Sequence, residues 1–107
     1  MKALITFIII FISSSCAAQI KAVHFNADWN KDNDVEWFTK LNDCDKQSLL
    51  IEEKDNQSKY QIAVVPTIII FDDGEEVKRF QADISFSMVA TKKEIQNYID
   101  ELIISKF

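Results

Sequence analysis

The chain has 107 residues, 48% of them hydrophobic, with a net charge of −5 at neutral pH and a single Gly and a single Pro. That length holds one small domain at most, the apolar fraction is ample for a packed core, and so little Gly and Pro excludes a low-complexity chain. The excess of acid and the lack of a basic stripe exclude a nucleic-acid partner, which needs cations to neutralise phosphates; an acidic surface mainly confers solubility.

Residues 1–18 read as a segment apart from the domain that follows. Lys2 supplies a positive start, ALITFIIIFI at 3–12 is apolar apart from Thr6, and SSSCAA at 13–18 supplies small residues. That order is the pattern of a secretory signal. Ten residues of helix span about 15 Å, half a bilayer core, which is too short for a transmembrane helix. Two processing sites are compatible with the pattern. Cleavage after Ala18 uses Cys16 and Ala18 as the small pair. Cleavage before Cys16 leaves a lipid on that sulfur; SSSC resembles a lipobox, although that pattern favours Leu where Ser13 stands. The expectation is an exported protein, periplasmic or extracellular, that meets a membrane only through a lipid anchor on Cys16. Loss of residues 1–18 removes Lys2 alone among charged residues and leaves a net charge of −6. Of the two cysteines, Cys44 then stands alone as a thiol, so no internal disulfide forms. The domain, residues 19–107, must hold by its core.

IKAVHF at 20–25 alternates as a strand, with Val23 and Phe25 on one face and Ala22 and His24 on the other. NDVEWFTKL at 33–41 predicts a helix. Asn33 and Glu36 stand in capping-box positions, Val35, Phe38 and Leu41 fall on one stripe, and Trp37 lies beside it. QSLLIE at 47–52 predicts a second strand, and KDNQSKYQI at 54–62 a short helix capped near Asp55. TIIIF at 67–71 is a β-branched run of the kind covered on both faces. DDGE and EVKRF, ending at Phe80, follow as a hairpin turn on the only Gly and a strand. Residues 81–90, with Ile84, Phe86 and Met88, form a connection of ambiguous structure. TKKEIQNYIDELI at 91–103 is the clearest helix, with Thr91 and Glu94 as a capping box and Ile95, Tyr98, Ile99, Leu102 and Ile103 at helical spacing. A βαβ unit, which requires a right-handed crossover, precedes a β-hairpin and a helix. The expected fold class is α/β: a three-layer sandwich on a four-stranded mixed sheet flanked by helices, in the order βαβαββα.

That order, with two sequence stretches, resembles the thioredoxin family. FNADWN at 25–30 is similar to the family's F-W-A-E-W-C, and VVPTIIIFDDGEEV at 64–77 to its I-P-T-L-L-L-F-K-N-G-E. The resemblance covers nearly all of residues 20–105, lacks the family's first strand and helix, and implies a minimal thioredoxin fold. It also implies where an active site would stand, and there the sequence departs from the family. The family's C-x-x-C follows the Trp; here Trp29 is followed by Asn30 and, three residues on, Asn33. Thioredoxin chemistry needs a thiolate of lowered pKa and a second thiol to release the mixed disulfide. An amide does not titrate and does not attack sulfur. Asn30 and Asn33 are therefore degenerate redox positions, and disulfide reduction by a dithiol is not expected.

The resemblance further implies that Pro66 is cis and faces this loop. An average X–Pro bond is cis in only about 5–6% of cases. In the family the residue before that Pro, here Val65, offers its backbone to an extended peptide, which is recognition by strand addition. Trp29, Val65, Pro66 and Thr67 are accordingly the expected lining of a peptide groove, unless Trp29 and Pro66 serve packing alone. His24 aligns with a buried acidic residue of thioredoxins; with no thiol to serve, it reads as a partly buried, hydrogen-bonded His. Cys44, the weak catalytic candidate, lies between Asp43 and Asp45, which disfavour a thiolate.

DWNKDND at 28–34 places Asp28, Asn30, Asp32 and Asp34 at alternate positions, as in a calcium loop. The required Gly and Glu are replaced by Asn33 and Thr39, so no metal is expected. There is no Gly-rich phosphate loop, and no cofactor is expected. Two functional readings stand. One is an exported thioredoxin-like module that binds a peptide or protein near Pro66 in the service of thiol–disulfide homeostasis, or acts as a structural subunit. The other is an oxidoreductase or redox-regulated protein working through Cys44.

Overall fold

The computed structural model describes residues 19–107; the predicted signal segment and Cys16 lie outside them. Four strands form one sheet in the order β2-β1-β3-β4, with β1 at Ile20–Asn26, β2 at Asp45–Leu50, β3 at Thr67–Asp72 and β4 at Glu75–Gln81. β1 runs parallel to β2 and antiparallel to β3, and β4 returns antiparallel to β3. Short α1, Asn56–Lys59, leads from β2 toward β3, and α2, Lys92–Ile104, closes the described chain. The predicted order of elements and the mixed four-stranded sheet are as found. Among the described residues no helix is long and apolar enough to cross a membrane.

The alternation of β1 and β3 makes two cores, one on each face of the sheet. Ile20 and Ala22 join Ile68 and Ile70 under Val35, Phe38, Leu41, Ile95 and Ile99. Val23, Phe25 and Ile69 pack on the opposite face with Ala27, Ile62 and Val65. Ile68, Ile69 and Ile70 are all fully buried, which explains the unbroken β-branched run. Each such side chain contributes on the order of 1.5–3 kcal/mol by leaving water. Asp73 and Gly74 both have positive φ, as a two-residue hairpin turn between right-twisted strands requires. On α2 the capping box is formed as predicted: Thr91 Oγ1 accepts from the Glu94 N–H, and the Glu94 carboxylate accepts from the Thr91 N–H.

The stretch between β1 and β2 departs from expectation. It holds two 3-10 helices, Asp28–Asn33 and Glu36–Lys40, separated by extended backbone at Asp34 and Val35. Val35, Phe38 and Leu41 are spaced by three, and residues three apart eclipse one another on a 3-10 helix. All three are buried, so the apolar stripe survives the change of helix type. The expected capping box does not form, because Asn33 donates to Asn30 and Asp34 accepts from Asn26. β2 lies two residues earlier than predicted, and Asp55 stands at the N-cap of α1 without a side-chain cap bond.

Candidate functional site

β1 delivers Ala22, His24 and Asn26 in turn to one face, so the strand passes from apolar to polar as it nears its C-terminal end. There Asn26 meets Asn30, Asn33 and Asp34 in a connected set of side chains. Asn26 Nδ2 donates to the Asp34 carboxylate and to the Asn30 carbonyl, the latter at 3.1 Å. Asn30 Nδ2 donates to Asn26 Oδ1 at 3.0 Å, and Asn33 Nδ2 donates to Asn30 Oδ1 at 3.0 Å. Asn30 is only 5% exposed. Its amide also reaches two distant carbonyls, Val65 O at 3.4 Å and Phe86 O at 3.1 Å. One NH2 group thus ties the loop after β1 to the residue before Pro66 and to the connection after β4. A thiol in its place would supply a single weak donor to three acceptors.

The Val65–Pro66 peptide bond is cis. Pro66 is fully buried, and Thr67 Oγ1 donates to the Val64 carbonyl at 2.7 Å, fixing the entry into β3. Upstream, the Arg79 guanidinium on β4 donates to the Tyr60 and Gln61 carbonyls at 2.9 and 2.8 Å while pairing with Glu76. The segment from Tyr60 to Thr67 is therefore pinned at both ends. Between them the N–H groups of Ala63, Val64 and Val65 have no acceptor among the described residues, although the Val65 carbonyl is already engaged by Asn30.

Trp29 stands beside this backbone, 63% exposed, with its ring edge-on to Phe86 at 5.2 Å between centroids. Phe86 was not singled out as a site residue in the sequence. It sits at φ +63°, where a bulky side chain is rarely found, and its N–H donates to the Asp83 carbonyl at 3.0 Å within a hydrogen-bonded turn. The Asp83 carboxylate accepts from the Ser85 N–H, the Ser85 hydroxyl and the Ser87 N–H, and the Asn30 amide takes the Phe86 carbonyl. These donors hold the Asp83 carboxyl below its ordinary pKa. The sequence signal was present: Asp followed by Ser at the second and fourth positions is an Asx-turn pattern. Trp29, Phe86, Ile51, Ile62, Val64 and Val65 surround a cleft of about 70 Å³.

The remaining candidates fall elsewhere. His24 is buried with its ring 5.3 Å from Phe38 and Nδ1 3.3 Å from Ser48 Oγ, while Nε2 has no partner among the described residues. Burial lowers its pKa, and the Asp34 carboxylate offsets part of that. Cys44 lies just before β2, which runs parallel to β1, so it sits at the end of the sheet opposite Asn30. Seven strand residues separate the two ends by about 20 Å. Burial pushes the Cys44 thiol up, with Asp45 and Asp43 adding to the effect and Lys46 opposing it. The alternating Asp28, Asn30, Asp32 and Asp34 do not converge, since Asn30 is turned inward while the three carboxylates are exposed. Among the described residues no three His, Cys, Asp or Glu side chains gather as metal ligands.

No family model matches the chain, and no curated protein matches it. Solved structures do. A single-residue mutant of the thioredoxin of Halobacterium salinarum is similar at TM-score 0.60 and 21% identity, over 78% of this chain and 74% of that one. Thioredoxin 1 of Thermosipho africanus matches at TM-score 0.59 and 24% identity, over 81% and 99%. The reduced thioredoxin pre-protein of Schistosoma mansoni matches at TM-score 0.61 and 18% identity, over 87% and 88%. The chain has the thioredoxin-like fold.

Proposed function

We propose that this is an exported thioredoxin-fold protein that has given up dithiol chemistry and binds an extended segment of a protein partner in the cleft between Trp29 and Val65. Asn30 and Asn33 are the degenerate redox positions. The partner segment adds as a strand along Ala63 to Val65, pairing with those N–H groups that face it, beside Pro66 and Thr67. The single observation that carries this reading is the exposed Trp29 packed on Phe86 next to backbone donors that have no acceptor among the described residues. A residue retained only for packing would be covered.

The position of Asn30 supports the loss of redox chemistry. Its side chain is consumed by internal hydrogen bonds at the place where an enzyme of this fold would present sulfur. Cys44 does not compensate, since it is remote from the cleft and its thiol is held protonated by burial. Export, with or without a lipid on Cys16, rests on the order of residues 1–18, and the intact mass of the protein recovered from cells distinguishes a mature start at Gln19 from a lipidated Cys16.

Titrating extended peptides against the purified protein, followed by tryptophan fluorescence, tests the function. Binding that survives Cys44→Ser and is lost in Trp29→Ala is the expected result. Reduction of a model disulfide that disappears in Cys44→Ser would replace this reading with the enzyme.

A further inference from the structure

We infer that the segment received in this cleft is basic, with an apolar side chain between lysines or arginines; the inference rests on the binding reading above. The stretches 27–34, 51–57, 62–65 and 82–87 supply the lining of the cleft through Trp29, Ile51, Gln57, Ile62 to Val65 and Phe86. They carry seven carboxylates, Asp28, Asp32, Asp34, Glu52, Glu53, Asp55 and Asp83, against two cations, Lys31 and Lys54. All seven carboxylates are exposed. The rest of residues 19–107 holds ten acidic and nine basic residues and is close to balanced. Five of the six net negative charges of residues 19–107 therefore fall in these four stretches, with Asp32 and Asp34 lining the hollow beside Ser87.

The same region exposes apolar side chains. Among the described residues seven large hydrophobic side chains are exposed, and four of them, Trp29, Ile84, Phe86 and Val89, lie in the Trp29 loop and the connection after β4. Asp28 N donates to Glu52 at 2.9 Å, which ties the loops after β1 and β2 together and sets Glu52 beside Asp28. An apolar side chain lies against the exposed Trp29 ring beside Phe86, the backbone runs along Ala63 to Val65, and flanking cations meet the carboxylates. An exposed indole face attracts the same cations. Nucleic acid and an acidic peptide meet like charge here. A second copy of this chain is itself net negative, so the overall charge opposes self-docking here. The carboxylates act chiefly on encounter rate and selectivity, and salt screens them over about 8–10 Å.

The test uses the full protein and three fluorescein-labelled ten-residue peptides that share one apolar core and differ in flanks: lysine, glutamine or glutamate. The lysine-flanked probe is expected to bind at least about tenfold more tightly than the glutamate-flanked one, with the gap closing as salt rises from roughly 0.05 to 0.5 M. Reversing charge with Asp32→Lys and Glu53→Lys, neither of which holds a loop, is expected to invert the preference. Equal binding of all three probes, still lost in Trp29→Ala, overturns the charge inference and leaves the cleft standing. Binding of none overturns the cleft reading itself. Self-association of the protein without peptide binding makes a second copy the occupant and overturns the basic segment.

Discussion

The Asn30 side-chain amide donates to the Phe86 carbonyl at 3.1 Å across 56 positions of sequence. The same group reaches the Val65 carbonyl at 3.4 Å. The two walls of the cleft are thus fastened to one buried side chain.

Asn30→Ala removes the donor to three acceptors and leaves Asn33 without its partner. Buried groups that lose a hydrogen-bond partner cost about 1–3 kcal/mol. Urea unfolding should show a loss in that range, whereas Asn33→Ala, at an exposed position, should cost less. Equal, negligible losses in both variants would contradict the role given to Asn30.

The side chains of Asn30 and Asn33 already touch, at 3.0 Å between Nδ2 and Oδ1. Replacing both, Asn30→Cys with Asn33→Cys, should yield a disulfide under mild oxidation, detectable by a mass loss of two hydrogens and by thiol titration. The reduced double variant should be less stable than the parent, because sulfur does not donate to Val65 and Phe86 as the amide does. Failure of the pair to oxidise would mean that the loop is not laid out as described.

His24 gives a pH dependence whose sign follows from burial. Its folded pKa lies below the ordinary value of about 6.5, because burial disfavours the imidazolium more than Asp34 favours it. The unfolded chain therefore binds the proton more readily. Stability is fully present above about pH 6.5 and falls as pH drops through that value toward the folded pKa. His24→Gln should flatten the slope of unfolding free energy between roughly pH 5 and 7. An unchanged slope in that variant would assign the effect to other groups.

Asp83 is exposed, and its work is local. Asp83→Ala should accelerate hydrogen exchange at the Ser85 and Ser87 amides, which its carboxylate accepts, with little shift in the global unfolding midpoint. Since its folded pKa is depressed, the parent should lose protection at these amides, relative to the intrinsic exchange rate at each pH, only as pH falls through the low folded value. Unaltered exchange would detach the connection after β4 from this carboxylate.

Strands, their order and α2 were legible because each rests on a local pattern: alternation in IKAVHF, the unbroken TIIIF run, Thr91 and Glu94 around a helical stripe. The 3-10 segments were not, since Val35, Phe38 and Leu41 at spacing three satisfy an α-helix over so short a window as well as a 3-10 helix. At the site, Trp29 and Pro66 could be placed through family likeness. The burial of Asn30 and the arrival of Phe86 could not, because the bonds that fix them end on backbone carbonyls of Val65 and Phe86, which carry no residue identity. Nothing in the letters 81–90 states that their turn folds back onto Trp29.

Amide chemical shifts of the labelled protein during titration with the lysine-flanked peptide test the central claim most directly. The account predicts saturable shifts at Ala63, Val64 and Val65, the Trp29 indole N–H and Phe86, with resonances around Cys44 at the other end of the sheet unmoved. Shifts centred on Cys44, with Val65 and Trp29 silent, would contradict it.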